Sequence, residues 1–115
     1  MKTLTHKSGY KVGSGQIHMV ITIGDGQFGS SSVIIGDTLF DQERLFDRDI
    51  GMGSELSGKK IVAVSVVTDT NEQTNHTSIT YELSGGPAPY RHRSEFTVEQ
   101  DNDSVKYVAE IELTS

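Results

Sequence analysis

The chain has 115 residues, of which 34% are hydrophobic and 23% are charged. This length is typical of one domain with one core, and the composition differs from the charge-rich, apolar-poor composition of disordered chains. The formal net charge of −6 disfavours nonspecific binding to nucleic acid, because such binding depends on basic residues that neutralise phosphates. The absence of cysteine excludes disulfides and thiolate metal sites.

The N-terminal region lacks the apolar run of a signal peptide, and no segment approaches the roughly 20 apolar residues of a membrane span. We therefore expect a cytoplasmic protein without a membrane span, with a mature secreted form as the alternative. Residues 1–15 are rich in glycine and serine, which predicts a flexible arm or a weak edge strand preceding a domain over residues 16–115.

Charge is unevenly distributed along the chain. Residues 1–24 contain Lys2, Lys7 and Lys11 and no acidic residue, so they carry +3 while the remaining 91 residues carry −9. A basic arm of this kind can steer the domain toward an acidic partner, and the simpler interpretation is a solvated tail.

The first predicted strand covers residues 16–23, where Ile17, Met19, Ile21 and Ile23 recur at every second position. It ends at a glycine-rich turn, and a second strand follows at about residues 30–35. Gly36 and Asp37 then predict a two-residue type II′ hairpin turn into residues 38–40.

Residues 41–57 are ambiguous. Leu45, Phe46 and Ile50, with Asp41 as a candidate N-cap, allow a short helix within residues 41–49 that Gly51 and Gly53 would end. We expect a long excursion here that crosses between two sheets.

Residues 61–68 are apolar on both faces, which is typical of a central strand with both sides covered. Alternation resumes over residues 77–83, 91–99 and 104–114, and a polar loop at 69–75 and a turn at 101–103 separate these strands. Strands without intervening helices predict an all-β fold, a single antiparallel β-sandwich of about seven or eight strands with immunoglobulin-like or jelly-roll topology.

Residues 24–29 match the pattern G-x-G-x-x-G of dinucleotide-binding loops. That chemistry requires a helix after the glycines, and here a strand follows, so the match predicts an ordinary turn. The four histidines lack the spacing of a zinc site.

Acidic loop residues are the main cofactor candidates. Calcium takes six to eight oxygen ligands, and loops at one end of a sandwich can supply them. The candidates are Asp69, Glu72, Asp101 and Asp103, although aspartate is also a common turn residue and no EF-hand pattern is present.

One compact basic segment has an aromatic neighbour. Tyr90, Arg91, His92 and Arg93 are candidates for binding an anion or a partner, whereas strand alternation also favours salt bridges between Arg93 and Glu95 on one face.

The sequence thus favours a noncatalytic binding or assembly module that binds a protein partner or self-associates through sheet edges. A calcium-dependent binding domain is one alternative. A small hydrolase or a carbohydrate-binding domain is another, although no G-x-S-x-G motif and no tryptophan are present.

Overall fold

A computed structural model describes residues 1–115 as nine strands and one short helix. The elements are β1 (Lys2–Lys11), β2 (Gln16–Ile23), β3 (Phe28–Ile35), β4 (Thr38–Glu43), β5 (Phe46–Met52), α1 (Gly53–Leu56), β6 (Lys60–Thr68), β7 (His76–Ser84), β8 (Tyr90–Thr97) and β9 (Ser104–Thr114).

The strands form two sheets. Sheet 1 has the order β1-β9-β6-β3-β4, and sheet 2 has the order β5-β2-β7-β8. β1 pairs with β9 in parallel, and every other pair is antiparallel. The expected all-β, two-sheet architecture is confirmed, with nine strands where seven or eight were expected. The expectation of purely antiparallel sheets is wrong for the β1–β9 pair, because Lys2–Lys11, within residues 1–15, form an ordered edge strand alongside the distant C-terminal strand.

One core of 22 buried hydrophobic residues is shared by the two sheets. Alternation along the strands fills it, as in β2, where Ile17, Met19 and Ile21 are fully buried. Buried hydroxyls are paired with each other: Ser31 Oγ lies 2.7 Å from Ser65 Oγ, and Thr77 Oγ1 lies 2.6 Å from the Tyr107 hydroxyl. These pairs leave none of the four hydroxyls unsatisfied in the core.

Residues 41–57 cross between the two sheets as expected, because β4 lies in sheet 1 and β5 in sheet 2, but the expectation of a long irregular excursion is wrong. β4 and β5 occupy most of this segment, and Phe46 and Ile50 are buried on one face of β5. Residues four positions apart share a face of a helix and of a strand alike, so their spacing did not distinguish the two. The helix begins at Gly53, one of the glycines expected to end a helix, and a Cβ there would overlap the Gly13 carbonyl oxygen.

β6 lies in the centre of sheet 1, as its apolar composition predicts, between β9 and β3. Ile61, Ala63 and Val67 face the core, whereas the opposite face with Val62 and Val64 is only half-buried. The expectation that both faces are covered is therefore wrong for the outer one.

The predicted hairpin between β3 and β4 forms, with Ile35 opposite Thr38 and Gly36 at a φ of 59°. Its second strand, β4, is an edge of sheet 1, and β1 is the other edge. The single helix, α1, has 4 residues, so the chain contains no membrane-spanning helix.

Candidate functional site

Three connections meet at one end of the two sheets, and we call this region the loop end. It comprises residues 24–27, 69–75 and 98–103, which join β2 to β3, β6 to β7 and β8 to β9. The glycine-rich turn at 24–27 leads directly into β3, in agreement with the interpretation as a turn.

Gln27 is buried and organises the loop end. Its Oε1 accepts hydrogen bonds from the backbone N–H groups of Thr70 and Asn71, at 2.8 and 2.9 Å. Its Nε2 donates to the carbonyl oxygens of Thr74 and His76, at 3.1 and 3.0 Å. One side chain thus fixes both ends of the loop 69–75 by satisfying its backbone polar groups.

The third connection is tied to the second through the backbone of Asp69. Its N–H donates to the Asp103 carbonyl at 2.9 Å, and its carbonyl accepts from the Asn102 N–H at 3.0 Å. The Val98 N–H donates to the Asn75 carbonyl at 3.0 Å. The loop end is therefore held together by backbone pairing between the two loops.

Asp69 and Asp101, two of the sequence-predicted calcium candidates, lie on either side of Asn75. One terminal atom of the Asn75 carboxamide lies 2.8 Å from Asp69 Oδ2 and 2.8 Å from Asp101 Oδ1. With its nitrogen at that position, the amide donates a hydrogen bond to each carboxylate.

The other two candidates lie differently. Glu72 is exposed and lines the same cavity as Asp69 and Asp101, which has a volume of about 130 Å³. The Asp103 carboxylate accepts a hydrogen bond from the backbone N–H of Gln100 at 3.2 Å, as a turn-forming aspartate does.

Asn75 and Gln27 were not identified from the sequence as site residues. Both are amides in turn-rich segments, and nothing in their spacing distinguishes them from ordinary loop residues. Gln27 directly precedes β3, and its burial depends on the position of a loop more than 40 residues later in the chain.

The predicted basic segment divides between two faces of β8. Arg91 and Arg93 are exposed, whereas Tyr90 and His92 are half-buried on the opposite face. Arg93 forms an ion pair with Glu95 on the outer face. The four residues therefore do not converge on one point, and anion binding by this segment stays a prediction.

Tyr90 and His92 instead face β1 across the side of the molecule. The rings of His6 and His92 stack with centroids 3.5 Å apart, and Ser8 Oγ lies 2.6 Å from the Tyr90 hydroxyl. Burial, followed by the neighbouring charge of His6, lowers the pKa of His92. We call this contact between the inner faces of β1 and β8 the histidine seam.

The tyrosines do not form an open aromatic face. Tyr10, Tyr81 and Tyr107 are buried and Tyr90 is half-buried, with the Tyr10 hydroxyl accepting a hydrogen bond from the Gly86 N–H at 2.9 Å. A sugar ring normally stacks on an exposed aromatic side chain, so this arrangement does not favour carbohydrate binding.

Two further histidines contact acidic residues on the outer face of sheet 2. His18 lies 2.8 Å from Asp49 through Nδ1 and 2.5 Å from Asp47 through Nε2, and these hydrogen bonds raise its pKa. His76 lies 3.5 Å from Glu95. These side chains are accessible to solvent. A catalytic site usually excludes water, because electrostatic interactions are stronger in its absence, and this feature is lacking here.

No family model matches the chain, and no curated protein or solved structure is significantly similar to it.

Proposed function

We propose that the chain is a noncatalytic assembly module whose copies join through the two edges of sheet 1. In this arrangement β1 of one copy pairs with β4 of the next copy. The observation that carries the proposal is the opposite charge of these two edges.

The charges of the edges are complementary. β1 contains Lys2, Lys7 and Lys11 and no acidic residue. The turn before β4 and β4 itself contain Asp37, Asp41 and Glu43 and no basic residue. An acidic edge and a basic edge attract each other in solution, and complementary potentials also speed the encounter.

The strand directions permit this pairing. β9 runs parallel to β1, and each further step across sheet 1 reverses direction, so β4 runs opposite to β1. Consider a second copy that is translated sideways in the plane of the sheet, perpendicular to the strands and without rotation. Its β1 then lies antiparallel to β4 of the first copy. Antiparallel edges pair readily and bury backbone groups that an isolated edge leaves unpaired.

The side chains suit one register. Odd-numbered residues of β1 and β4 lie on the exposed outer face of sheet 1, where Asp41 can lie opposite Lys7 of the neighbouring copy. In the same register Asp37 lies opposite Lys11, and Leu39 lies over Gly9. Cross-strand pairs of opposite charge stabilise a sheet, and a glycine leaves room for the large side chain opposite it.

The apolar surface near β4 also favours assembly. Leu39 is 58% exposed and its cross-strand neighbour Ile34 is 42% exposed. Identical edges are disfavoured as partners, because a β1–β1 contact brings lysines together. The charge pattern thus favours the pairing of β1 with β4 over the pairing of two identical edges.

The proposal is tested by measuring molecular mass by light scattering across protein concentration at low and high salt. We expect mass to rise with concentration at low salt and to fall when salt screens the edges. The double variant Lys7→Glu/Lys11→Glu should remain monomeric. Mixing it with Asp37→Lys/Asp41→Lys should restore association, because each variant then meets an edge of opposite charge.

The matched control is Arg91→Glu/Arg93→Glu, which changes net charge equally on the exposed face of β8 in sheet 2, away from the two edges of sheet 1. We expect this control to associate like the unmodified chain. A protein that is monomeric at every concentration at low salt, or a control that loses association as completely as the edge variant, would contradict the proposal.

The strand order supports the immunoglobulin-like alternative over the jelly roll. β3, β6 and β9 adjoin one another as strands C, F and G of that fold do, and β2 adjoins β5 as B adjoins E. On this interpretation β7 and β8 form a hairpin inserted between F and G. The inserted hairpin extends sheet 2 and supplies two of the three loop-end connections.

A further inference from the structure

We propose that the loop end binds a calcium ion between Asp69, Asp101 and Asn75. This inference is independent of the edge pairing, because it depends on residues that lie on neither β1 nor β4.

The first observation is an unpartnered buried carboxylate oxygen. Asp69 is 2% exposed, and its Oδ1 is buried without any hydrogen-bond partner. No lysine, arginine or histidine forms an ion pair with Asp69 or Asp101. A buried ionised carboxylate is costly unless it is paired or coordinates a metal, so this oxygen lacks a partner that a cation would supply.

The second observation is the approach of two carboxylates to one terminal atom of the Asn75 carboxamide, which is the amide nitrogen when no cation is bound. The same carboxamide atom lies 2.8 Å from both carboxylates. A half-turn of the amide about its terminal bond replaces the nitrogen with the oxygen, so three oxygens from three side chains would then surround a bound cation. Oxygens at this spacing repel one another unless a cation lies among them, and ligands around calcium at 2.3–2.6 Å lie about 3 Å apart.

The ligand set favours calcium over zinc and magnesium. No three His, Asp or Glu side chains converge in the chain, so the third side-chain ligand is an amide oxygen. Amide and carboxylate oxygens are typical calcium ligands, whereas zinc favours nitrogen and sulfur. Magnesium requires a near-ideal octahedron of shorter bonds.

The surroundings allow the remaining ligands to be water. The adjoining cavity of about 130 Å³ is lined by Asp69, Thr70, Asn71, Glu72, Asp101 and Asn102, none of which is hydrophobic. A water molecule takes about 30 Å³ in the liquid, so the cavity has room for several waters around the ion. Gln27 and the backbone pairing hold both loops in place without the ion.

The test is thermal unfolding and calorimetric titration of the full chain, first freed of metal with a chelator. Adding about 1 mM calcium chloride should raise Tm by roughly 5 °C or more, and excess chelator should reverse the rise. Magnesium chloride should have a smaller effect. Without calcium, Asp101→Asn should raise Tm, because it removes one of two adjacent negative charges, and it should abolish most of the calcium-dependent rise.

Asp69→Asn is the second variant and should lose the calcium response in the same way. The matched control is Asp103→Asn in the same loop, whose carboxylate bonds to the Gln100 N–H and does not line the cavity. This control should keep the calcium-dependent rise even if its Tm without calcium falls. The absence of heat and of a Tm rise in the unmodified chain, an equal response to magnesium, or an undiminished response in Asp101→Asn would each overturn the assignment.

Discussion

Folding shifts the pKa values of two histidines in opposite directions. The pKa of His92 is lowered from 6.5 by burial and then by His6, so the folded state favours the neutral ring. The pKa of His18 is raised from 6.5 by its hydrogen bonds to Asp49 and then Asp47, so the folded state favours the charged ring. Each residue therefore makes stability depend on pH with its own sign.

We predict that His92→Gln lessens the loss of stability on acidification. Above pH 6.5 the ring is neutral in the folded and unfolded states, and stability is lost as pH falls through the lower folded pKa. We measure Tm for the variant and for the unmodified chain at each pH. The Tm difference between the two proteins should change by roughly 1–3 °C when the pH is lowered from about 7 to about 5.

His18→Gln serves as the comparison of opposite sign. The contribution of His18 is fully present below its unfolded pKa of 6.5 and is lost as pH rises through the higher folded pKa. The His18→Gln variant should therefore have a lower Tm than the unmodified chain at acidic pH. If Tm changes with pH in the same way for the unmodified chain and for His92→Gln, the histidine seam does not shift the pKa of His92.

The sequence predicted some of this residue-level detail. Alternation along β8 places Phe96 inward and Glu95 outward, as the structure does. The stacking of His6 on His92 could not be predicted, because it depends on β1 and β8 lying on the same side of the molecule. Their sequence separation is more than 80 residues, and period-2 patterns carry no information about such neighbours.

At the scale of elements, Gln27 links a turn to a loop that is distant in sequence. We predict that Gln27→Ala lowers the free energy of unfolding by about 2–3 kcal/mol, because the loop 69–75 loses hydrogen bonds to four backbone groups. Urea denaturation monitored by circular dichroism measures this loss.

Gln73→Ala is the matched control, since Gln73 lies in the same loop and is exposed. Its substitution should change the free energy of unfolding by no more than about 0.5 kcal/mol. Equal effects of the two substitutions would refute a special role for Gln27.

The sequence predicted the elements whose conformation is determined by neighbouring residues. It did not predict the elements whose conformation is determined by packing against distant strands. Gly36 and Asp37 specify their hairpin by turn geometry alone. Phe46 and Ile50 required the partner strand β2 before β5 could be distinguished from a helix. Asp69 and Asp101 were selected by residue type, whereas the part played by Asn75 depends on how two loops meet.

At the scale of the whole molecule, protection from solvent should follow position within the sheets. We predict that backbone amides of β6, paired on both sides, exchange hydrogen most slowly and that those of β4 exchange fastest within sheet 1. Hydrogen exchange read by mass spectrometry checks this order.

The same measurement connects stability to assembly. Under low-salt conditions that favour association, β1 and β4 should gain protection while β5 and β8 should not. Gains confined to β5 and β8 would place the contact on sheet 2 instead. The strand order on which this prediction depends could not be predicted from the sequence, because pairs such as β1 with β9 join residues about 100 positions apart.

The parallel ladder between β1 and β9 has a mechanical consequence. Lys2 lies beside Val105 and Lys11 lies beside Thr114, so a pull on Lys2 and Thr114 in opposite directions acts along the ladder. The hydrogen bonds joining ten register pairs are then loaded together in shear instead of opening one at a time. A pull in these directions should therefore meet more resistance than one that peels β1 from β9 one residue pair at a time.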